Sequence, residues 1–187
     1  MDVTQIMCPR DARNLARLQR MQDIYTALEK IAMRYKPKTI FEIGVRAGYS
    51  AYTLITGSGQ CEWYEGWDVD DRAHYGGPWL DWAKYLVGEC LPATDWDIYV
   101  RDSQQATELE HPRDLIHVDG DHTYEGCLHD MTLCWPYVNP GGVMVVDDAT
   151  YLPGPRRAIA NFTAEDVARL YLEPSPTGSM VFEKGKE

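Results

Sequence analysis

Basic residues are scarce in this chain. Its 187 residues include 18 Lys and Arg against 29 Asp and Glu, which gives a formal net charge of -11. Because affinity for nucleic acid depends largely on Lys and Arg contacts to phosphates, this balance argues against nucleic acid as a partner. It also disfavours docking on an anionic membrane surface. A net negative charge promotes solubility in any case, so it identifies no partner by itself.

Paired cysteines and long apolar runs are also missing. The five cysteines are scattered and include no C-x-x-C pair, so neither a structural zinc site nor a disulfide framework is predicted. Cys127 and Cys134 stand at helical spacing on an apolar face and are expected to be small core residues. No stretch is long enough to span a bilayer, and Met1 to Gln5 lack the layout of a signal peptide. We therefore expect a cytoplasmic protein.

The order of predicted elements favours an α/β fold. Residues 11–35 carry apolar side chains at a helical period and are a candidate lid or dimer face. After them, apolar strand-like segments alternate with helical ones, which predicts a parallel, doubly wound sheet. Segments 169–172 and 179–182 flank a Pro-Ser-Pro-Thr-Gly turn and predict a hairpin at the sheet edge. We predict one domain, residues 1–187, with 1–36 as an N-terminal helical extension.

The start of the strand at Val143 is predicted from a proline and two glycines that precede it. Pro140, Gly141 and Gly142 are expected to end the preceding helical segment, so that a strand begins at Val143. The other strands are predicted at residues 39–45, 63–69, 97–100 and 115–118.

Two of the predicted strands end in aspartates. One runs L-I-H-V-D-G-D from Leu115, and the other runs V-M-V-V-D-D from Val143. Because the carboxyl ends of parallel strands open on the same edge, Asp119, Asp147 and Asp148 are expected to converge there. Close carboxylates repel each other unless a hard, oxygen-binding cation lies between them. The pattern predicts a divalent-metal site, although adjacent acids after a buried strand can also simply face solvent.

Polar groups also follow the earlier strands. The turn E-I-G-V-R-A-G at residues 42–48 joins a strand to a helix, a layout that can hold a ligand on the helix N-terminus. It lacks the G-x-G-x-x-G order of dinucleotide-binding folds. Asp68 follows the second strand and suits a ribose, and Asp102 and Ser103 follow the third, where an adenine would lie. Each feature alone is typical of an ordinary turn or strand end, but together they predict a nucleoside pocket.

These residues resemble a known family. F-E-I-G-V-R-A-G-Y-S-A, from Phe41, resembles the first motif of class I S-adenosylmethionine-dependent methyltransferases, especially the catechol O-methyltransferase group. I-H-V-D-G-D-H-T-Y-E-G and P-G-G-V-M-V-V-D-D resemble the O-methyltransferases of macrolide and aminocoumarin biosynthesis. The resemblance runs from about Thr39 to Phe162. It implies a Rossmann-like, mostly parallel seven-stranded sheet with an antiparallel C-terminal hairpin strand. It also implies metal-assisted methyl transfer to a small hydroxylated acceptor, a sugar or a catechol-like diol.

The resemblance implies roles for individual residues. The implied S-adenosylmethionine contacts are Glu42, Gly44, Gly48, Ser50, Asp68, Asp102, Ser103 and Asp119. Of these, Glu42 and Gly44 would meet the amino group of the cofactor's methionine part, and Ser50 its carboxylate. The implied ligands of Mg²⁺ or a similar ion are Asp119, Asp147 and Asp148. The chain departs from the catechol enzymes at Arg46, where they have an aromatic residue, and at Asp148, where they have asparagine.

The general base is left open between two residues. Asp121 matches the implied base of the antibiotic-pathway enzymes and is slightly favoured, while His122 has the better resting pKa for the task. His117 is expected to be a hydrogen-bonded core histidine and His129 a helix-surface residue. A lone histidine in a loop is more often a polar surface residue than a catalyst.

Two further features carry competing interpretations. The aromatic segment containing Tyr75, Trp79, Trp82 and Tyr85 could wall the acceptor pocket, but its helical spacing favours packing on the sheet. Arginines 156 and 157 could hold an anionic acceptor, but such residues more often cover a helix surface. A metal-assisted hydrolase and a non-catalytic cofactor-binding module remain alternative functions. Methylation of a nucleic-acid base is disfavoured, since no N-P-P-Y or D-P-P-Y segment is present.

Overall fold

The computed structural model describes residues 2–70 and 79–186, so Tyr75 lies outside the described residues. Five helices alternate with seven strands in the described part of the chain. The helices are α1 Leu15–Tyr35, α2 Tyr49–Ser58, α3 Trp79–Cys90, α4 Tyr124–Cys134 and α5 Pro153–Asn161. The strands are β1 Thr39–Ile43, β2 Trp63–Asp68, β3 Asp95–Val100, β4 Arg113–Val118, β5 Val138–Val146, β6 Val167–Glu173 and β7 Ser179–Lys184.

The strands form one sheet in the order β3-β2-β1-β4-β5-β7-β6. The pairings that join β1 to β5 are parallel, whereas β7 pairs antiparallel with both β5 and β6. This confirms the predicted Rossmann-like α/β sheet with an antiparallel hairpin at one edge. The chain reverses its direction of travel across the sheet between β1 and β4, and open α/β sheets bind ligands at such a switch point.

Both faces of the sheet are covered by helices because alternate side chains of each central strand point to opposite sides. On β1, Ile40 packs against the layer formed by α1, α2 and α3, and Phe41 packs against the layer formed by α4 and α5. Cys127 and Cys134 on α4 are buried in the second layer, as predicted. The doubly wound arrangement places the carboxyl ends of β1 to β5 along one open edge.

The predicted start of β5 at Val143 is wrong. The strand begins at Val138 and pairs there with Arg113, and pairing resumes at Leu115 and Val143 after a register shift. The intervening Pro140, Gly141 and Gly142 therefore form an irregular insert within the strand rather than a stop before it. Proline and glycine signal a break in regular geometry, and a bulge is such a break.

The N-terminal segment packs closely on the fold. A 3-10 helix at Pro9–Asn14 precedes α1, so the α-helix begins four residues later than the apolar period predicts. The buried face of α1 includes Leu28 and Ile31, which join the core with α2. No helix within residues 2–70 and 79–186 combines the length and the apolar composition needed to cross a bilayer.

Candidate active site

A cavity of about 1010 Å³ opens along the carboxyl ends of β1 to β5. Helix α1 forms one wall and the turn after β1 forms another. Most of the residues that the sequence singled out line it, namely Gly44, Ser50, Asp68, Asp102, Ser103, Asp119, Asp121, His122, Asp147 and Asp148. The strand ends are therefore brought to one site, and two of the predicted contacts, Glu42 and Gly48, are not in its lining.

The turn after β1 is built on a glycine that no other residue can replace without strain. Gly44 has φ of 93°, a conformation that side chains rarely adopt. A Cβ at this position would overlap the backbone carbonyl oxygen of Asp119. The ends of β1 and β4 are thus in direct backbone contact, which the N–H of Asp119 reinforces by donating to Ile43 O at 2.9 Å.

Gly48 serves packing rather than the cavity wall. A Cβ here would lie 2.8 Å from the Cα of Ala83 on α3, so the glycine lets α3 approach the start of α2. Helix packing therefore explains why this position is a glycine, and the contact of Gly48 with the cofactor stays a prediction. Ser50, in the first turn of α2, does line the cavity, and its contact with the cofactor carboxylate stays a prediction.

Contacts of Arg46 stabilise the conformation of the same turn. Its φ is 46°, and its backbone N–H donates to Asp68 Oδ2 at 2.7 Å. Its guanidinium lies 3.2 Å from Asp11 Oδ1 and 4.7 Å from the centre of the Trp79 ring. These contacts give a physical role to the position where the chain departs from the catechol enzymes, because the arginine ties the N-terminal segment to the cofactor turn. Asp11 is a site residue that sequence reasoning missed.

Glu42 lies behind the cavity wall. It is fully buried, and its two oxygens accept hydrogen bonds from the Tyr64 hydroxyl and from His117 Nδ1, the latter at 2.8 Å. Both oxygens are therefore engaged by neighbouring side chains, and the contact with the cofactor amino group that the resemblance implied stays a prediction. Tyr64 and His117 come from the strands on either side, so the sequence around Glu42 carries no sign of this pairing.

His117 is a core histidine at the floor of the cavity. It is fully buried and lines the cavity, in keeping with the predicted hydrogen-bonded interior position. Burial lowers its pKa, but the hydrogen bond to Glu42 and the charges of Glu42, Asp119 and Asp147 outweigh this and raise the pKa to about 9. The protonated form of His117 is therefore favoured at neutral pH. Its Nε2 has no hydrogen-bond partner among the described residues.

Asp68, Asp102 and Ser103 form the end of the cavity where the ribose and adenine are predicted to lie, and this end is polar and preorganised. Asp68 accepts backbone N–H donors from Arg46 and, at 2.6 Å, from Asp70, which fixes its carboxylate at the end of β2. Burial raises the pKa of Asp68. Asp102 caps a short 3-10 helix by accepting the N–H of Gln104 at 3.0 Å, and the adjacent Ser103 is buried. The predicted ribose and adenine residues thus occupy successive strand ends of one cavity.

Three donor atoms converge at the ends of β4 and β5. His122 Nε2 lies 3.1 Å from Asp119 Oδ1 and 3.4 Å from Asp148 Oδ2. Among residues 2–70 and 79–186, these three side chains form the group whose potential metal-ligand atoms lie within 4.8 Å of one another. The predicted trio is therefore brought together in part: Asp119 and Asp148 converge, and His122 takes the third place.

Asp147 is held by other partners. Ser179 donates its hydroxyl to Asp147 Oδ1 at 3.0 Å, and Thr177 donates to the same oxygen at 3.3 Å. Asp147 lines the cavity but lies outside the group of three donors. The two hydroxyls come from the hairpin turn and from β7, which are distant in sequence, so the strand-end pattern could not reveal them.

The charges of this cluster are strongly coupled. Burial raises the pKa values of Asp119, Asp147 and Asp148, and repulsion between the carboxylates adds to it. The hydrogen bond to Asp119, together with the charges of Asp119, Asp148 and Asp147, raises the pKa of His122 to about 9 against the effect of burial. A cation is thus favoured at this point of the cavity, whether it is an imidazolium or a metal ion.

The structure also shows the positions of the remaining histidine and arginines that the sequence analysis discussed. His129 is half-buried, and its Nε2 is hydrogen-bonded to the Ser103 carbonyl oxygen at 3.0 Å. It therefore connects α4 to the segment after β3 and is not a free surface residue. Arg156 and Arg157 on α5 are exposed and do not line the cavity. Arg157 lies over the ring of Tyr124, 4.5 Å from its centre. The helix-surface interpretation of this arginine pair is the one the geometry supports.

The tryptophans of the aromatic segment mainly pack against the core, as their helical spacing predicted. Trp79 is buried in the core and also lines the cavity, whereas Trp82 packs against the core and donates its Nε1–H to the Ile6 carbonyl at 3.1 Å. Tyr85 is exposed. Only Trp79, among the described members of this segment, contributes to the cavity wall.

Asp130, buried beside the adenine end, gives a prediction for stability. Its Oδ1 accepts a hydrogen bond from Gln104 at 2.9 Å, and burial raises its pKa to about 6. Below about pH 4 the carboxyl is protonated in both states, but between about pH 4 and 6 only the unfolded chain releases the proton. The free energy of unfolding should therefore fall over this range by up to about 3 kcal/mol and then level off.

Asp130→Asn should flatten this slope. Urea unfolding at a series of pH values would measure it, with Asp23→Asn, an exposed acid on α1, as a matched control. An unchanged slope in Asp130→Asn would show that Asp130 does not carry the effect.

Comparison with known proteins agrees with the geometry. A family model described as a methyltransferase domain matches residues 41–149, more than half of the chain. The O-methyltransferase from Bacillus cereus in complex with SAH is 15% identical, with a TM-score of 0.66 over 98% of this chain and 90% of that chain. The O-methyltransferase TomG from Streptomyces achromogenes, in complex with SAM, is 16% identical, with a TM-score of 0.68 over 98% of this chain and 89% of that chain.

A curated sequence shares a shorter segment. The uncharacterized protein R132 of Acanthamoeba polyphaga mimivirus is 46% identical over 35 residues, which is 19% of this chain. That match spans 16% of the viral protein's length, so it carries no functional argument. The family match, by contrast, includes both the turn after β1 and the aspartates that follow β4 and β5. The chain therefore belongs to the methyltransferase domain family, and it is an S-adenosylmethionine-dependent methyltransferase with a Rossmann-like fold.

Proposed function

We propose that this enzyme transfers the methyl group of S-adenosylmethionine to a hydroxyl oxygen of a small acceptor, a sugar or a catechol-like diol, with the assistance of a divalent metal ion. The single observation that carries the proposal is the convergence of Asp119, His122 and Asp148 in the cavity that also holds the polar strand ends of β1 to β3. The two structurally similar proteins are O-methyltransferases by name, which supports oxygen as the acceptor atom.

The donor set fits a divalent ion. Two carboxylate oxygens suit a hard cation such as Mg²⁺ or Mn²⁺, and an imidazole nitrogen moves the preference toward first-row transition metals. When bound, such an ion would orient a vicinal diol and lower the pKa of its hydroxyls. Asp147 lies beside this group, and one of its oxygens accepts a hydrogen bond from Ser179. It would add negative charge near the ion without belonging to the group of three converging donors.

The chain's own residues supply position and proton transfer. The fixed turn at Gly44 and the carboxylate of Asp68 would hold the cofactor so that its methyl carbon faces the cluster. Correct alignment of two reactants is worth up to about 7–11 kcal/mol of barrier. Asp121 lines the same cavity and is our candidate base, with His122 as the alternative. Cytoplasmic location and the absence of nucleic-acid partners stay predictions from composition, and homodimerisation stays a prediction from the apolar helix at the N-terminus.

A metal titration tests this proposal. Methyl transfer from labelled S-adenosylmethionine would be measured over a panel of catechols and sugars, after chelation and after return of Mg²⁺ or Mn²⁺. We expect chelation to lower the rate by about a hundredfold or more and the metal to restore it. Asp148→Ala should lower the restored rate, whereas Asp81→Asn, an exposed acid on α3, should not.

Each alternative function gives a different result. Product formation undiminished by strong chelation would falsify the metal role. A metal-assisted hydrolase should bind no S-adenosylmethionine in calorimetry. A non-catalytic module should bind it without metal dependence and form no product, and Asp147→Ala should change nothing.

A further inference from the structure

The α1 wall of the cavity carries two open arginines. Arg17 and Arg20 line the cavity and stand three residues apart, so they project from the same side of the helix. Both are exposed to solvent, and neither forms an ion pair with any other residue in 2–70 or 79–186. Guanidinium groups in this position can each present a planar fork of donors to an oxyanion.

The other cationic groups of the cavity already have partners. Arg46 is paired with Asp11 and lies over Trp79. Arg101 lies over the ring of Trp67, with its guanidinium carbon 3.9 Å from the ring centre. Two histidines also line the cavity, but His117 is paired with Glu42, and His122 lies beside Asp119 and Asp148. The other charged residues of the lining are acidic, namely Asp68, Asp70, Asp102, Asp119, Asp121, Asp147 and Asp148. The α1 wall therefore carries the cationic groups of the lining that lie apart from a carboxylate or aromatic partner among the described residues, and an anion is attracted most strongly there.

Tyr25 is a polar residue farther along the same wall. It lines the cavity that also contains Asp119 and Asp147, and burial is the main cause of its raised pKa. At about 1.5 Å per residue along a helix, Arg20 and Arg17 stand about 7 and 12 Å from it.

The surface between Tyr25 and the arginines is apolar. Met21 and Ile24 stand between them along α1 and line the cavity. A ligand that reaches along this wall to the arginines must cover these side chains and displace water from them, which favours an apolar spacer. Along α1 the wall thus presents, in order, the hydroxyl of Tyr25, an apolar strip and a cationic end.

We propose that the methyl acceptor is a hydroxylated molecule with an anionic group, such as a carboxylate or a phosphate, which Arg17 and Arg20 bind across an apolar spacer. This inference rests on the proposed function and names the acceptor class of the same site. It assigns anion binding to these two arginines and not to Arg156 and Arg157, for which a helix-surface role was already favoured from the sequence. Two charge-assisted contacts of this kind support at least about a tenfold preference for an anionic acceptor over its neutral counterpart.

Calorimetry on the enzyme saturated with S-adenosylhomocysteine tests the inference. The probes are dihydroxycinnamate and its neutral methyl ester, which differ in the charge at the end of the spacer and in one methyl group. Wild type should bind the carboxylate at least about tenfold more tightly than the ester. Arg17→Gln/Arg20→Gln should remove that difference while leaving the affinities for the ester and for S-adenosylhomocysteine unchanged. Arg156→Gln/Arg157→Gln removes the same charge from α5 and should keep the preference.

The same probes, used as methyl acceptors, separate this inference from the proposed function. The Arg17→Gln/Arg20→Gln enzyme should show a raised KM for the carboxylate and an unchanged kcat. Equal binding of the two probes by wild type would overturn the inference even if both were methylated. A variant that loses affinity for S-adenosylhomocysteine as strongly as for the carboxylate would also overturn it, since the arginines would then serve the cofactor. A carboxylate preference without any methylation would retain the anion site and remove the proposed function.

Discussion

Replacing Gly44 with alanine is expected to abolish S-adenosylmethionine binding and to lower the free energy of unfolding by about 2–5 kcal/mol. The residue has φ of 93°, and a side chain pays about 1–2 kcal/mol for a left-handed conformation. The added Cβ would also overlap the Asp119 carbonyl oxygen, and overpacking of this kind costs about 1–3 kcal/mol or more. The two strand ends cannot easily separate, because the Asp119 N–H is bonded to Ile43 O.

Gly59 offers a matched control for this substitution. It also has a positive φ, 66°, but an added Cβ would meet no atom within 4 Å. Gly59→Ala should therefore cost only the conformational part, about 1–2 kcal/mol, and leave cofactor binding intact. Urea unfolding and calorimetry with S-adenosylmethionine would compare the two variants. If Gly44→Ala proved no worse than Gly59→Ala, the close contact between β1 and β4 would not be a constraint on the site.

The strand ends could be predicted from the sequence because they depend on local patterns. An apolar run followed by an acid, as at Asp68 or Asp119, indicates a buried strand and its solvent-facing end at once. Parallel pairing then brings such ends to one edge without further information. This is why the parallel part of the sheet and the acidic strand ends in the cavity follow from periodicity and from the alternation of strands and helices.

Other features of the site depend on partners far away in the sequence. Glu42 is turned from the cavity by Tyr64 and His117, and Asp147 is held by Ser179, which arrives with the antiparallel β7. The arginines of α1 become cavity residues only because that helix packs across the strand ends. Tertiary contacts of this kind leave no periodic signal, so they could not be inferred from residue order.

The roles of Asp121 and His122 can be separated by their dependence on metal. His122 is one of the three converging donors, and its ring nitrogen lies between Asp119 and Asp148. Asp121 stands at the start of α4, where Oδ1 accepts the Thr123 N–H at 2.8 Å. Its second oxygen lies against Gly126 at the start of α4. We therefore propose His122 as a metal ligand and Asp121 as the base.

Asp121→Asn is expected to lower kcat by about 10²–10⁴-fold at saturating metal, because general-base catalysis contributes that much. The asparagine keeps an oxygen for the Thr123 N–H, so the turn that leads into α4 and the fold should be preserved. His122→Ala should instead raise the metal concentration for half-maximal rate by about tenfold or more, with kcat largely recovered when metal is in excess. The opposite pattern, a loss in His122→Ala that metal cannot rescue beside an active Asp121→Asn, would assign the base to His122. Since both variants leave the turn at Gly44 untouched, unchanged affinity for S-adenosylhomocysteine would show that the effect lies in the transfer step and not in cofactor binding.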